Sequence, residues 1–120
     1  MKVRIGVGLA GLNSDLFVAA VQRMEQCGFD SLWLSEVLTT GVLDPLAGLA
    51  YAAGVTRKLK LGTTMTVTAR NPVRMAKELA TIDRLSGGRL LLVFVPGLTN
   101  RQEDQALAVP VKERFVRVRP

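Results

Sequence analysis

Histidine is absent from the 120-residue sequence, and cysteine occurs once, at Cys27. The first absence excludes Ser-His-Asp and Cys-His catalysis and any zinc site with imidazole ligands. The second excludes an internal disulfide or a CxxC pair, which suits a reducing cytoplasm, the expected location. No apolar run reaches the ~20 residues of a membrane-crossing helix, the longest being Pro45 to Val55. Met1-Lys2-Val3-Arg4 and the apolar stretch to Leu12 lead directly into Asn13-Ser14-Asp15 without a small-residue cleavage pattern. That start therefore reads as a strand and loop rather than a signal peptide. Aromatic residues are few, at one Trp, one Tyr and four Phe, and none lies inside the Arg57-Lys58-Lys60 cluster. Stacking on single-stranded nucleic acid has little support.

What is present is a hydrophobic share of 48%, enough for one folded domain with a core. The net charge of +6 is uneven: residues 1–50 carry −2 and residues 51–120 carry +8. A basic half suits an anionic cofactor or a nucleic acid, but the ordinary meaning of such runs is a solvated helix face and a charged tail.

One unit recurs four times along the chain. Val3 to Gly8 reads as a strand, and Asn13 or Ser14 caps a helix with Leu16, Phe17, Ala20, Val21 and Met24 at helical spacing. Ser31 to Ser35 is a second strand. Asp44-Pro45 starts a second helix, predicted to bury Leu46, Leu49, Ala50 and Ala53, with Gly48 and Gly54 weakening it. A third strand runs from about Lys58 to Val67. Asn71-Pro72 opens a helix predicted to bury Val73, Ala76, Leu79, Ala80 and Ile82. Arg89 to Val95 is a fourth strand, apolar on both faces, which predicts a place in the middle of a parallel sheet covered on both sides. Asn100, with Glu103 at its third position, caps one more helix in a variant of the capping box.

Strand–helix alternation with short connections predicts a parallel α/β fold. It is either an open doubly wound sheet or four of the eight units of a TIM barrel. Both place function at the C-terminal ends of the strands, here Gly8 to Asn13, Ser35 to Thr40, Thr64 to Asn71 and Val95 to Asn100. Gly6-Val7-Gly8-Leu9-Ala10-Gly11 matches GxGxxG, which keeps a nucleotide-binding module among the alternatives. Its spacing is wrong: Leu12-Asn13-Ser14 intervene before the helix, and Glu36 lies beyond the ~20 residues expected for the ribose-binding acid.

Glu36, ending the second strand, suits cofactor binding or proton transfer, or equally a partner for Arg70. The hydroxyls of Thr63-Thr64-Met65-Thr66-Val67-Thr68 suit a polar ring or phosphate, although β-propensity alone accounts for them. Arg70 and Arg74 flank a helix start and suit an anion, or Arg74 pairs with Glu78 one turn on. Met65 and Met75 are ordinary gap fillers.

Several strings resemble the bacterial luciferase-like superfamily. They are Gly28 to Glu36, Asp44-Pro45-Leu46, Leu61-Gly62-Thr63, Arg70-Asn71-Pro72-Val73 and, most specifically, Ala76 to Leu90; the likeness spans about residues 3–115. Val109 to Arg114 resembles the start of the family's next helical segment. The resemblance implies a TIM barrel carrying coenzyme F420, the first choice, or FMN, in flavin-dependent monooxygenases and deazaflavin-dependent hydride-transfer enzymes. On that basis residues 1–120 form one (β/α)4 half-barrel domain, truncated relative to the family, with Arg117-Val118-Arg119-Pro120 ending in mid-helix.

By the same resemblance Glu36 is the acid near the cofactor ring and the expected catalytic residue. Thr64-Met65 corresponds to a bulge with a non-prolyl cis peptide behind the ring, and Pro96-Gly97 to a loop approaching the cofactor. Gly8, Glu36, Thr64, Met65, Thr66, Pro96 and Gly97 are the expected cofactor contacts, and no metal is expected. Val37 stands where many members have His, and Val93-Phe94-Val95-Pro96-Gly97 replaces a glycine-rich strand end. The expected partner is a small-molecule substrate, with no nucleic acid or membrane. An open four-stranded sheet leaves both edge strands unpaired, so a homo-oligomer through those edges is expected. A non-catalytic, dimerising member of the family is the alternative.

Overall fold

The computed structural model describes residues 1–11 and 13–114. Its elements are β1 (Gly6–Gly8), α1 (Ser14–Gln26), β2 (Ser31–Ser35), α2 (Pro45–Val55), β3 (Lys60–Met65), α3 (Pro72–Ser86), β4 (Leu90–Phe94), α4 (Arg101–Leu107) and α5 (Val111–Arg114). The ending at Arg117–Pro120 lies outside the described residues.

The helix starts form where short-range chemistry demands them. Asn13 Oδ1 accepts from Leu16 N, Asp44 Oδ1 from Ala47 N, and Asn71 Oδ1 from Val73 N and Arg74 N. Each cap satisfies an amide the helix itself leaves without a partner, and proline follows two of them at no cost. Gly87, at φ 69°, closes α3 in the left-handed conformation.

The strands form one parallel sheet in the order β1-β2-β3-β4, with Leu32 beside Leu61 and Leu61 beside Leu90. Alternation sends Leu32, Leu34, Leu61 and Met65 toward the helices. There they pack with Phe17, Val21 and Met24 of α1, Leu46, Leu49, Ala52 and Ala53 of α2, and Leu79 and Ile82 of α3. A Cβ on Gly48 would lie 2.7 Å from Leu34 Cδ1. The residue that weakens α2 in isolation thus lets it seat against β2.

Three sequence expectations need correction. β4 is an edge strand, with Leu92, Val93 and Phe94 exposed, since among the described residues it pairs only with β3. The outer stripe of α3 is exposed at Val73, Ala76 and Ala80, because only the side facing α2 and the sheet finds neighbours; Ala50 and Leu16 point outward likewise. β1 and β3 are shorter than predicted, pairing stopping where the neighbouring strand stops.

The base of the sheet is held by two side chains. Arg89 donates to the carbonyls of Ala53, Thr56 and Leu59, to Thr56 Oγ1 and to Ser86 O, joining the ends of α2 and α3 to the start of β3. Glu25 accepts from Arg57 N and Lys58 N at 2.7 and 2.6 Å, fixing the turn before β3.

Candidate functional site at the C-terminal mouth of the sheet

The C-terminal ends of the four strands open on one side of the sheet, beside the starts of the helices that follow them. The mouth is built from that geometry. Glu36 immediately follows β2 and continues its ladder, its N–H donating to Thr64 O at 2.9 Å. Its side chain turns toward the β3–α3 connection. Oε2 accepts from Thr66 N at 2.8 Å, and Oε1 is held by Arg70 in an ion pair. The carboxylate side chain is only 3% exposed, against 24% for Arg70. Of the two readings the sequence left open for Glu36, pairing with Arg70 is therefore realised, at the position where a cofactor acid is expected.

The turn that returns Arg70 to Glu36 passes through Ala69, at φ 61°. A left-handed alanine is uncommon outside positions the surroundings enforce. Thr66 Oγ1 accepts from Thr68 N, so the threonine run organises its own turn. Thr64 points to the open face and is half-buried, whereas Met65 is fully buried among the helices. The expected cis peptide does not occur: all peptide bonds among the described residues are trans. β3 runs unbroken through Thr64 and Met65, whose neighbours on β4 are Val93 and Phe94, and Met65 O accepts from Val95 N. Arg74 and Glu78 stay unpaired with each other, both facing solvent.

Pro96-Gly97 sits on a buried guanidinium. Arg114 is 1% exposed and donates to Pro96 O, Leu98 O and Val109 O and to Asp104 Oδ1. Gly97 is at φ 89°, and a Cβ there would lie 2.6 Å from Arg114 Nη1, so glycine is required on both counts. Asn100 caps α4 through Glu103 N, as predicted. The Glu103 side chain does not close the capping box; its Oε1 accepts from Leu38 N, 65 residues away, and ties α4 to the loop after Glu36.

A recess of about 220 Å³ opens between the ends of β1 and β2. Gly8 and Gly11 leave its floor without side chains, Trp33, Val37 and Leu43 wall it, and Ser35 adds a hydroxyl. Trp33 was not among the expected site residues, and Ser35 was expected only as the first residue of the stretch that ends the second strand. Their signal was parity, since Ser31, Trp33 and Ser35 share the face opposite Leu32 and Leu34. Trp33 lies across the neighbouring strands: a Cβ on Gly62 would overlap its indole, and one on Gly6 would meet Nε1 at 3.2 Å. Gly6 thereby has a packing role in place of a phosphate-binding one. The structure brings Glu36, Thr64 and Thr66 together with Arg70, sets Gly8 in the neighbouring recess, and holds Pro96-Gly97 on a separate anchor. Among the described residues no group of acids and cysteine is arranged to hold a metal, and no helix is long and apolar enough to cross a membrane.

A model of the luciferase-like monooxygenase family matches residues 6–119. The alkanal monooxygenase alpha chain of Photorhabdus luminescens is 40% identical over 81 residues, 64% of this chain and 22% of its own length. The 5,10-methylenetetrahydromethanopterin reductase of Methanopyrus kandleri is 32% identical over 113 residues, 92% of this chain and 32% of its own. Among solved structures, a riboflavin lyase with modified FMN superposes with a TM-score of 0.82 at 22% identity, over 97% of this chain and 35% of that one. That likeness shows the fold, the (β/α)4 portion of a TIM barrel. The chain spans a third or less of the length of these two curated relatives.

Proposed function

Since the chain belongs to the luciferase-like monooxygenase family, we propose that it supplies part of the cofactor mouth of an oxidoreductase using coenzyme F420, or FMN in second place. The observation that carries the reading is the meeting of Glu36, Thr64 and Thr66 at the strand ends, beside a glycine-floored apolar recess. A flat, largely apolar ring with polar edges fits such a place, where backbone can approach one face and a few fixed donors meet the rim. A relative named as a coenzyme F420-dependent oxidoreductase supports the first choice, and the similarly folded riboflavin lyase with modified FMN keeps the second in view.

The roles follow from the contacts. Gly8 keeps the recess floor open, since a Cβ there meets nothing closer than Trp33 O at 3.8 Å. The Thr64 hydroxyl offers a donor on the open face. Glu36 is oriented by Thr66 N and Arg70, so its charge has a fixed place at the mouth. Pro96-Gly97, anchored by Arg114, forms the opposite lip. When bound, the cofactor supplies the site for hydride transfer to or from a small organic substrate, and the protein supplies orientation and electrostatics.

Titration of the protein with F420 and with FMN, followed by absorbance and fluorescence, tests this. Saturable binding is expected, tighter for F420. Gly8→Val, which places a side chain in the recess at a position with room for it, weakens binding by roughly tenfold or more, worth ~1.4 kcal/mol. Binding of neither cofactor overturns the proposal.

A further inference from the structure

α4 reaches across the mouth of the sheet. It begins after β4, and its third residue, Glu103, meets the connection after β2, two strands away, by accepting from Leu38 N at 2.9 Å. Its last residue, Leu107, lies with Val109 along a cleft that Arg70 also lines. α4 therefore touches both of the chain segments that meet in the Glu36–Arg70 ion pair.

Glu103 is unusual for its surroundings. It is 1% exposed, in a helix whose Arg101, Gln102 and Gln105 all face solvent. A buried carboxylate is tolerated where hydrogen bonds or an opposite charge replace its lost hydration. Both are present here: Leu38 N binds Oε1, and a Cβ on Gly97 would lie 3.4 Å from Oε2 and 2.6 Å from the guanidinium of Arg114. The local use of this side chain, closing a capping box, is given up for a bond across 65 residues. That bond falls on an amide two positions after Glu36. Between β2 and the Asp44 cap, it is the one backbone donor held by a side chain among the described residues. The same connection supplies Val37, Val42 and Leu43 to the recess wall.

We propose, resting on the cofactor reading above, that Glu103 is a positioning residue for the mouth. By holding Leu38 N it fixes the path of the chain leaving β2. The Glu36 carboxylate thereby keeps its place on Thr66 N and Arg70, and Val37 keeps its place in the recess wall. A fixed carboxylate needs such support, because a site is only as precise as the contacts that lock its side chains.

Amide hydrogen exchange of the full chain, resolved residue by residue by NMR, tests this beside titration with F420. The variants are Glu103→Ala, which removes the acceptor, and Glu103→Gln, which keeps an oxygen for Leu38 N. In Glu103→Ala, exchange is expected to quicken roughly fivefold or more at Leu38 and also at Thr66, whose acceptor is Glu36 and not Glu103, while Leu32 and Leu61 in the sheet stay unchanged. F420 binding is expected to weaken roughly fivefold, about the worth of one hydrogen bond. Glu103→Gln is expected to restore both. A role confined to holding α4 in place would move Leu38 and leave Thr66 and the affinity alone, and that result overturns the inference. So does a Glu103→Gln chain that behaves as Glu103→Ala does. If Glu103→Ala does not fold, the wild type decides: a Leu38 amide exchanging as fast as an unbonded one overturns the inference, and a protected one supports it. If the wild type binds neither F420 nor FMN, the cofactor reading falls, and the Thr66 amide still decides whether Glu103 positions Glu36.

Discussion

Thr63 shows what a single position on β3 has to reconcile. It is fully buried, on the helix-facing side between Leu61 and Met65, and its hydroxyl has no hydrogen-bond partner among the described residues. An unpaired buried hydroxyl costs about 1–3 kcal/mol, whereas a methyl of the same size costs nothing of that kind. Thr63→Val is expected to raise stability by about 1 kcal/mol, measured as a higher urea midpoint at unchanged slope. The hydroxyl-rich run was visible in the sequence, but reading its threonines as one strand face missed that Thr63 is buried while Thr64 is only half-buried. Which hydroxyl finds a partner was not visible, because Thr66 meets Thr68 N through a turn whose path depends on Ala69 and Arg70. Glu36 teaches the same lesson. Its position at a strand end was legible, while its hold by Arg70 and Thr66 N joins residues at least 30 apart in the chain.

At the scale of elements, the helix starts were legible because a cap is a contact over three residues, and Asn13, Asp44, Asn71 and Asn100 all serve as read. Buried stripes were less so. The apolar face of α3 extends further than α2 and the sheet cover, so Val73 looks buried by spacing and is 76% exposed. The composition of β4 was plain, but its place in the sheet depends on what pairs beyond it, which local pattern does not encode. The clamp of Glu25 on the turn between α2 and β3 had no local signature either. Burial opposes its charge, but the amides of Lys58 and Arg57 and the nearby Arg89 outweigh this and hold the carboxyl below its ordinary value of 4.5. A depressed carboxyl stabilises the fold fully above the unfolded value and ceases to do so as pH falls through the folded one. The difference in thermal midpoint between wild type and Glu25→Gln is therefore expected to be constant above about pH 5 and to shrink progressively below it.

Across the whole molecule, one end of the sheet is tied and the other is open. Arg89 and Glu25 fasten helix ends and turns at the base, whereas the mouth is assembled from loops linked by Glu36–Arg70, Glu103–Leu38 and Arg114. Barrel folds divide in this way, with stability at the base and chemistry at the mouth.

The position of Arg89 also has an electrical consequence. α2 and α3 are both dipoles whose negative poles lie at the base, where this one guanidinium meets their terminal carbonyls. The positive pole of α2 is matched by the Asp44 carboxylate. That of α3 begins at a neutral asparagine, with Arg70 before it and Arg74 within its first turn. The two helices therefore differ at the mouth: α2 starts on a carboxylate, whereas α3 has no acidic residue in its first turn. Negative charge brought to the mouth beside α3 enters a field that already favours it.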